Sequence, residues 1–143
     1  MAELNLRYLR QANVARIPRF KNSKGEPAHS QPDGSDWALS AWSNATLGEL
    51  GEAANIIKKI ERGDLTMEEA RPALAKELAD TLIYLDILAF RAGISLGHAT
   101  IEKFNEVSTK VGAAIYLVGR EVYIDHPLAY KALGLPNPKE FEK

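Results

Sequence analysis

The stretch 47-LGELGEAANIIKKIERG-63 decides how the chain reads, because its apolar residues recur at helical spacing while Glu49 and Glu52 interrupt them. Carried upstream at about 100° per residue, Leu39, Trp42, Thr46, Glu49, Ala53, Ile56 and Ile60 follow one another at steps of 3, 4, 3, 4, 3 and 4. That is an inward seam with Glu49 in its middle, and Glu52 flanks it three residues on. Lys58, Glu61 and Arg62 fall elsewhere on the wheel, as solvated charges should. The pattern predicts a helix from an N-cap at Asp36 to about Arg62, with Gly63 as its stop.

The next helix repeats the anomaly. In 76-KELADTLIYLDILAF-90, Leu78, Leu82, Ile83, Leu85, Ile87, Leu88 and Phe90 cover most of the wheel. A helix apolar on every side is buried on every side, which in a chain this small points to a partner subunit. Through it runs the row Ala73, Glu77, Asp80, Tyr84, Ile87, again with two acids three residues apart. Thr66 and Glu69 form a capping-box pattern at its start, although Pro72 shifts that start toward residue 70. The helix runs to about Ala92 before Gly93, and Ser95 caps a fourth helix that reaches about Val111 before Gly112.

Outside these helices the signals are shorter. Leu4 to about Arg16 reads as a short helix blocked by Pro18. The stretch 20-FKNSKGEPAHSQPDGSD-36 is dense in turn formers, a loop of a length that serves either as a lid or as a disordered segment. In 115-IYLVGREVYI-124, two β-rich halves around Gly119-Arg120 fit a small hairpin, the alternative being a continuation of the fourth helix. Pro127 to Leu135 adds a helical turn or two. The expected fold is all-α: a bundle of three long helices plus a short N-terminal helix, with the small hairpin after it. One domain over 1–143 is expected, with its core at 37–112, the loop at 20–36 and a tail at 113–143.

Composition narrows the function. The 143 residues are 45% hydrophobic and 26% charged, and the net charge of −1 offers no basic field for nucleic acid or an anionic membrane. The absence of cysteine excludes disulfides, thiolate zinc sites and a cysteine nucleophile. The opening MAELNLRYLR lacks the apolar core of a signal peptide, and no apolar run is long enough to span a bilayer, so a cytoplasmic location is expected.

Four carboxylates facing one bundle interior need compensation, because burying an unpaired carboxylate costs several kcal/mol and close like charges raise one another's pKa. The inner faces supply few Lys or Arg residues. A divalent cation is the other solution, and a hard-oxygen set without His or Cys favours Mg²⁺, with Mn²⁺ as substitute. A di-iron bundle needs E-x-x-H on two helices. Of His29, His98 and His126, only His29 has a glutamate three residues before it, and that pair lies in the loop.

The paired acids, E49-L-G-E52 and then E77-L-A-D80, resemble the E-x-x-E…E-x-x-D signature of the MazG-like, all-α nucleoside triphosphate pyrophosphohydrolases. The likeness covers Trp37 to Gly112, where LGELGEAANIIKK and KELADTLIYLDILA resemble the family's two central helices and IEKFNEVSTKVG the following one. It implies hydrolysis of a nucleoside or deoxynucleoside triphosphate between the α and β phosphates, with Glu49, Glu52, Glu77 and Asp80 binding Mg²⁺ as metal ligands and catalytic residues. It implies a phosphate-binding Lys103, with Asn105 beside it in place of the family's later asparagine (here Val107) and Lys110 at a further basic position. Lys59, with Lys58, is either a phosphate contact or a solvated charge at a helix C-terminus. Trp37, at the helix mouth, suits stacking on a nucleobase, Trp42 either packs in the core or joins it, and Asn44 is a candidate base-edge reader. Family habit and the all-round apolar helix together imply a homo-oligomer, a dimer or a tetramer. Such an enzyme controls a nucleotide pool or clears damaged nucleotides. The alternative from another class is a non-catalytic helical module that binds metal or a partner's lysines.

Overall fold

The computed structural model describes residues 4–118 and 121–124. The expectation for 127–135 lies outside them. The described residues are mainly helical, as the periodicity requires: α1 is Leu6–Arg16, α2 Leu39–Glu61, α3 Met67–Arg91 and α4 Leu96–Val111. The chain divides into two compact units, Met1–Leu96 and Gly97–Lys143.

In the first unit, the Asn5 side chain caps α1 by accepting from the Tyr8 amide at 3.0 Å. The helix tightens into a 3₁₀ turn, Ile17–Arg19, where Pro18 removes a backbone donor. α2 and α3 pack as a helical hairpin, and α1 lies against α3. Gly63, at φ +80°, ends α2, and its amide donates to the Ile60 carbonyl at 3.0 Å. The core is built on Ile17, Trp42 and Ile87, with Phe20, Ile83, Tyr84, Leu88 and Phe90 packed around them.

Four expectations need correction. Asp36 does not cap α2: Ala38 holds that position without a side-chain bond, while Asp36 accepts from the Ser30 amide at 3.1 Å within the loop. Leu39, so placed in the first turn, is 48% exposed rather than on the buried seam. Pro72 does not delay α3, which starts at Met67 because both halves of the Thr66–Glu69 capping box form. Within the single chain α3 is not covered on every side. Leu78, Leu82 and Leu85 form an exposed stripe, and Leu47, Leu50 and Ile57 form another on α2.

The capping box is a measurable contributor. Thr66→Ala should lower stability by about 1 kcal/mol, seen as a reduced Tm. The Thr66 amide and hydroxyl hold the Glu69 carboxyl below its ordinary pKa. Its share of stability is therefore present above the ordinary glutamate range and lost as pH falls through the lowered value. The gap between wild type and variant should accordingly narrow in acid; a gap independent of pH would remove Glu69 from the cap.

In the second unit, α4 is followed by an antiparallel hairpin of β1 (Ile115–Val118) and β2 (Glu121–Ile124), with Ile115 opposite Ile124. The Asn105 side chain ties β1 to α4, donating to the Leu117 carbonyl at 2.9 Å and accepting from the Leu117 amide at 2.8 Å.

Candidate functional site

Three of the four paired acids converge. Glu49 on α2 and Glu77 and Asp80 on α3 each offer a carboxylate oxygen within 4.8 Å of the others. The helical hairpin makes this geometry: Glu77 and Asp80 share one face through their three-residue spacing, and Glu49 meets them across the α2–α3 interface. Glu49 and Glu77 are half-buried. Burial first, then the Asp80 and Glu77 carboxylates, push the Glu49 pKa above its ordinary value, and a hydrogen bond with Glu77 and the Glu52 charge act in the same direction. Glu52 itself is exposed and stands outside the convergent three.

The three acids fit a hard divalent cation. Oxygens sharing one Mg²⁺ lie about 3 to 4 Å apart, given bonds near 2.1 Å, so small side-chain adjustments suffice. Every donor is a carboxylate oxygen, and Glu49 carries an unfavourable crowd of negative charge that a cation would relieve.

An aromatic cavity of about 370 Å³ is lined by Phe20, Lys21, Asn22, Ala28, His29, Trp37, Trp42 and Tyr84. Its walls come from the 20–36 loop, the start of α2 and the middle of α3. The loop is ordered by its own bonds. Asn22 Oδ1 accepts from the amides of Lys24 and Glu26, Asn22 Nδ2 donates to Glu26, and Lys21 pairs with Pro27 as an antiparallel bridge. Gly34, at φ +71°, permits the close approach behind the cavity: an added Cβ would stand 2.8 Å from Trp42 Cζ2. The Trp42 indole donates to the Gly34 carbonyl at 3.3 Å, so the ring is fixed as the back wall.

His29 is the loop's inward residue, its side chain only 2% exposed. Its ring stacks on Trp42 at 5.2 Å and meets the edge of Trp37 at 4.9 Å. Nδ1 lies 3.3 Å from Asp36 Oδ1. The contact is within ion-pairing range but out of line for a hydrogen bond, leaving Nδ1 a buried polar atom without a hydrogen-bond partner among the described residues.

Tyr84 joins the two features. It lines the cavity, and its phenol pKa is raised by burial first and then by the Glu49 and Asp80 charges, with Arg16 opposing.

The remaining expected residues are not among the three convergent acids. Trp37 lines the cavity at 36% exposure, and Trp42 does so from within the core at 1%. Asn44 is exposed on α2 and does not line the cavity, and Lys59 is exposed. Lys103 is exposed and pairs with Glu106 at 2.6 Å; Lys110 is exposed at the end of α4. Asn105 has its amide bonded to the Leu117 backbone through both Nδ2 and Oδ1. The sequence reading missed His29, Phe20 and Tyr84 as cavity residues; an aromatic and a histidine in an otherwise polar loop just ahead of Trp37 were the available signal.

Comparison with protein-family models, curated proteins and solved structures finds no match to this chain. No single helix among the described residues is long and apolar enough to cross a membrane.

Proposed function

We propose that this chain is a Mg²⁺-dependent nucleotide pyrophosphohydrolase of the MazG-like type, converting a (d)NTP and water to the (d)NMP and pyrophosphate. The observation that carries the reading is Tyr84, shared between an aromatic cavity and a cluster of three carboxylates. A ligand suited to both is planar at one end and polyanionic at the other, which is the chemical description of a nucleotide. The base packs against Trp37 and Trp42 with its edge toward His29, and Glu49, Glu77 and Asp80 would hold the cation that the phosphates require. Mg²⁺, or Mn²⁺ in its place, supplies neutralisation of phosphate charge and acidification of water.

The chain's own groups then position the reaction. Glu49 faces both other acids and orients the attacking water by accepting its proton. The water oxygen bonds to the α phosphorus while the bond to the α–β bridging oxygen breaks, releasing pyrophosphate. Glu52, exposed beside the cluster, is available to a second cation. The exposed stripes on α2 and α3 support a homo-oligomer, a dimer or a tetramer, in which a second copy covers them. The role is control or cleansing of a cytoplasmic nucleotide pool.

The test is product analysis. The purified protein is incubated with each common NTP and dNTP, with Mg²⁺ or EDTA, and the products are resolved by ion exchange. Monophosphate and pyrophosphate, dependent on metal, are expected. Diphosphate with orthophosphate would overturn the reading, and metal binding without turnover of any nucleotide would put a non-catalytic metal-binding module in its place.

A further inference from the structure

We propose that His29 and Asp36 form a dyad that reads the exocyclic group of the ring bound in the aromatic cavity, selecting an amino-bearing nucleobase over its keto counterpart. The inference rests on the nucleotide reading above and deepens it by naming the class of base.

An imidazole buried among Phe20, Trp37 and Trp42 leaves polar nitrogens in apolar surroundings, which is unfavourable unless they have partners. The nearest charge to Nδ1 is a carboxylate, at ion-pairing distance though not in hydrogen-bond geometry. Asp36 Oδ1 stands 3.3 Å from Nδ1 and, as a carboxylate, can only accept. Burial pushes the Asp36 pKa up, but the Ser30 amide, its own amide and His29 outweigh that and hold it below the ordinary range. The acceptor is thus ionised, and the imidazole proton belongs on Nδ1. A neutral ring with its proton there carries a lone pair on Nε2.

Nε2 is the nitrogen left to a ligand. Of the two ring nitrogens Nδ1 is the sealed one, turned to Asp36, and His29 lines the cavity. The other titratable groups that line the cavity are Lys21, from the same loop, and Tyr84, from α3. The cavity therefore presents a hydrogen-bond acceptor. The exocyclic amine of cytosine or adenine donates to it, whereas the carbonyl of uracil or hypoxanthine sets one lone pair against another.

Asp36 acts through His29, so it is a positioning residue, and the test uses a substitution that changes only its message. In Asp36→Asn the amide oxygen can still accept from the Ser30 amide. Its NH₂ group donates to Nδ1, the ring proton moves to Nε2, and the acceptor becomes a donor. Binding of the α,β-methylene analogues of dCTP, dUTP, dATP and dITP is measured by tryptophan fluorescence with Mg²⁺ at about pH 8, where an unperturbed imidazole is neutral. The wild type is expected to hold each amino analogue at least about tenfold more tightly than its keto counterpart, and Asp36→Asn to reverse the order. Nitrogen NMR of His29 in the unliganded wild type should show the Nδ1–H tautomer, independently of how the variant folds. Equal affinities in the wild type, an unchanged order in the variant, or an Nε2–H tautomer would overturn the dyad while leaving pyrophosphate release untouched. Failure of every analogue to bind would overturn both the dyad and the nucleotide reading.

Discussion

Under the proposed reaction, replacing Glu77 with glutamine should lower Mg²⁺-dependent pyrophosphate release by at least about a hundredfold and leave the helical hairpin folded. The substitution keeps volume and removes one charge from three carboxylates whose oxygens lie within 4.8 Å of one another. In the metal-free protein that crowding is unfavourable, since Glu49 is already pushed above its ordinary pKa by burial and by its two neighbours. The glutamine amide can donate to Glu49, so the metal-free variant melts at or above the wild-type temperature. With Mg²⁺ the order inverts. A cation that binds the folded state stabilises it by RT ln(1 + [L]/Kd), about 2.7 kcal/mol at a hundredfold excess over Kd, and the variant loses most of that gain. Activity and metal-free stability thus move in opposite directions, which distinguishes a functional charge cluster from a structural one. A variant that loses both together, or one that keeps its Mg²⁺-dependent rate, removes Glu77 from the proposed site. Glu52→Gln is the companion measurement. An equal loss would assign this exposed carboxylate to the proposed cation site, and a much smaller one would confine that site to three acids.

The parts of this site legible in sequence are those that periodicity can reach. Glu49, Glu77 and Asp80 interrupt apolar rows at helical steps, and a helix fixes direction, so their inward orientation followed from spacing alone. The capping box at Thr66 and the stop at Gly63 were equally local and equally readable. What periodicity cannot reach is the identity of the neighbour. His29 lies in a loop without a repeating pattern, and its burial is set by Trp37, which follows that loop, and by Trp42 on α2. The bonds from Asn105 to the Leu117 backbone were not readable because that partner becomes adjacent only after the chain turns back. Asp36 has the chemistry of an N-cap, but the Ser30 amide competes for the same oxygen and wins. Leu78, Leu82 and Leu85 read as buried because hydrophobicity signals that a surface is to be covered, without saying which chain covers it. Asp86 carried a signal that went unused: a third acid in an apolar helix, with Arg10 on the short N-terminal helix to match it.

That pair supports the largest stability prediction. Asp86 is 1% exposed, and Arg10 meets it with Nε at 3.1 and 3.2 Å from its two carboxylate oxygens and Nη2 at 2.9 Å from Oδ1. Nη2 also donates to the backbone carbonyls of Asp86 and Ile94, Asn13 donates to Asp86 Oδ2 at 2.9 Å, and the guanidinium lies over the Phe90 ring. Arg10→Ala would leave a buried carboxylate with Asn13 as its one remaining side-chain donor among the described residues. Breaking a buried pair in this way costs about 3–5 kcal/mol, and the Tm should fall by more than about ten degrees. Arg10→Lys should recover only part of this, because an ammonium cannot reproduce the guanidinium fork. The double variant Arg10→Met, Asp86→Leu should be more stable than Arg10→Ala alone, since most of the loss comes from stranding a charge rather than from losing an attraction. Recovery stays incomplete because the Ile94 carbonyl still loses its Arg10 donor. The same helix carries the chain into Ile17, which packs with Trp42 in the core, so the back wall of the cavity depends on α1 staying docked. On the proposed nucleotide reading, binding should accordingly weaken in Arg10→Ala below its melting transition and return in the double variant. If binding fell equally in both, Arg10 would be acting on the ligand directly rather than through the packing of α1 against α3.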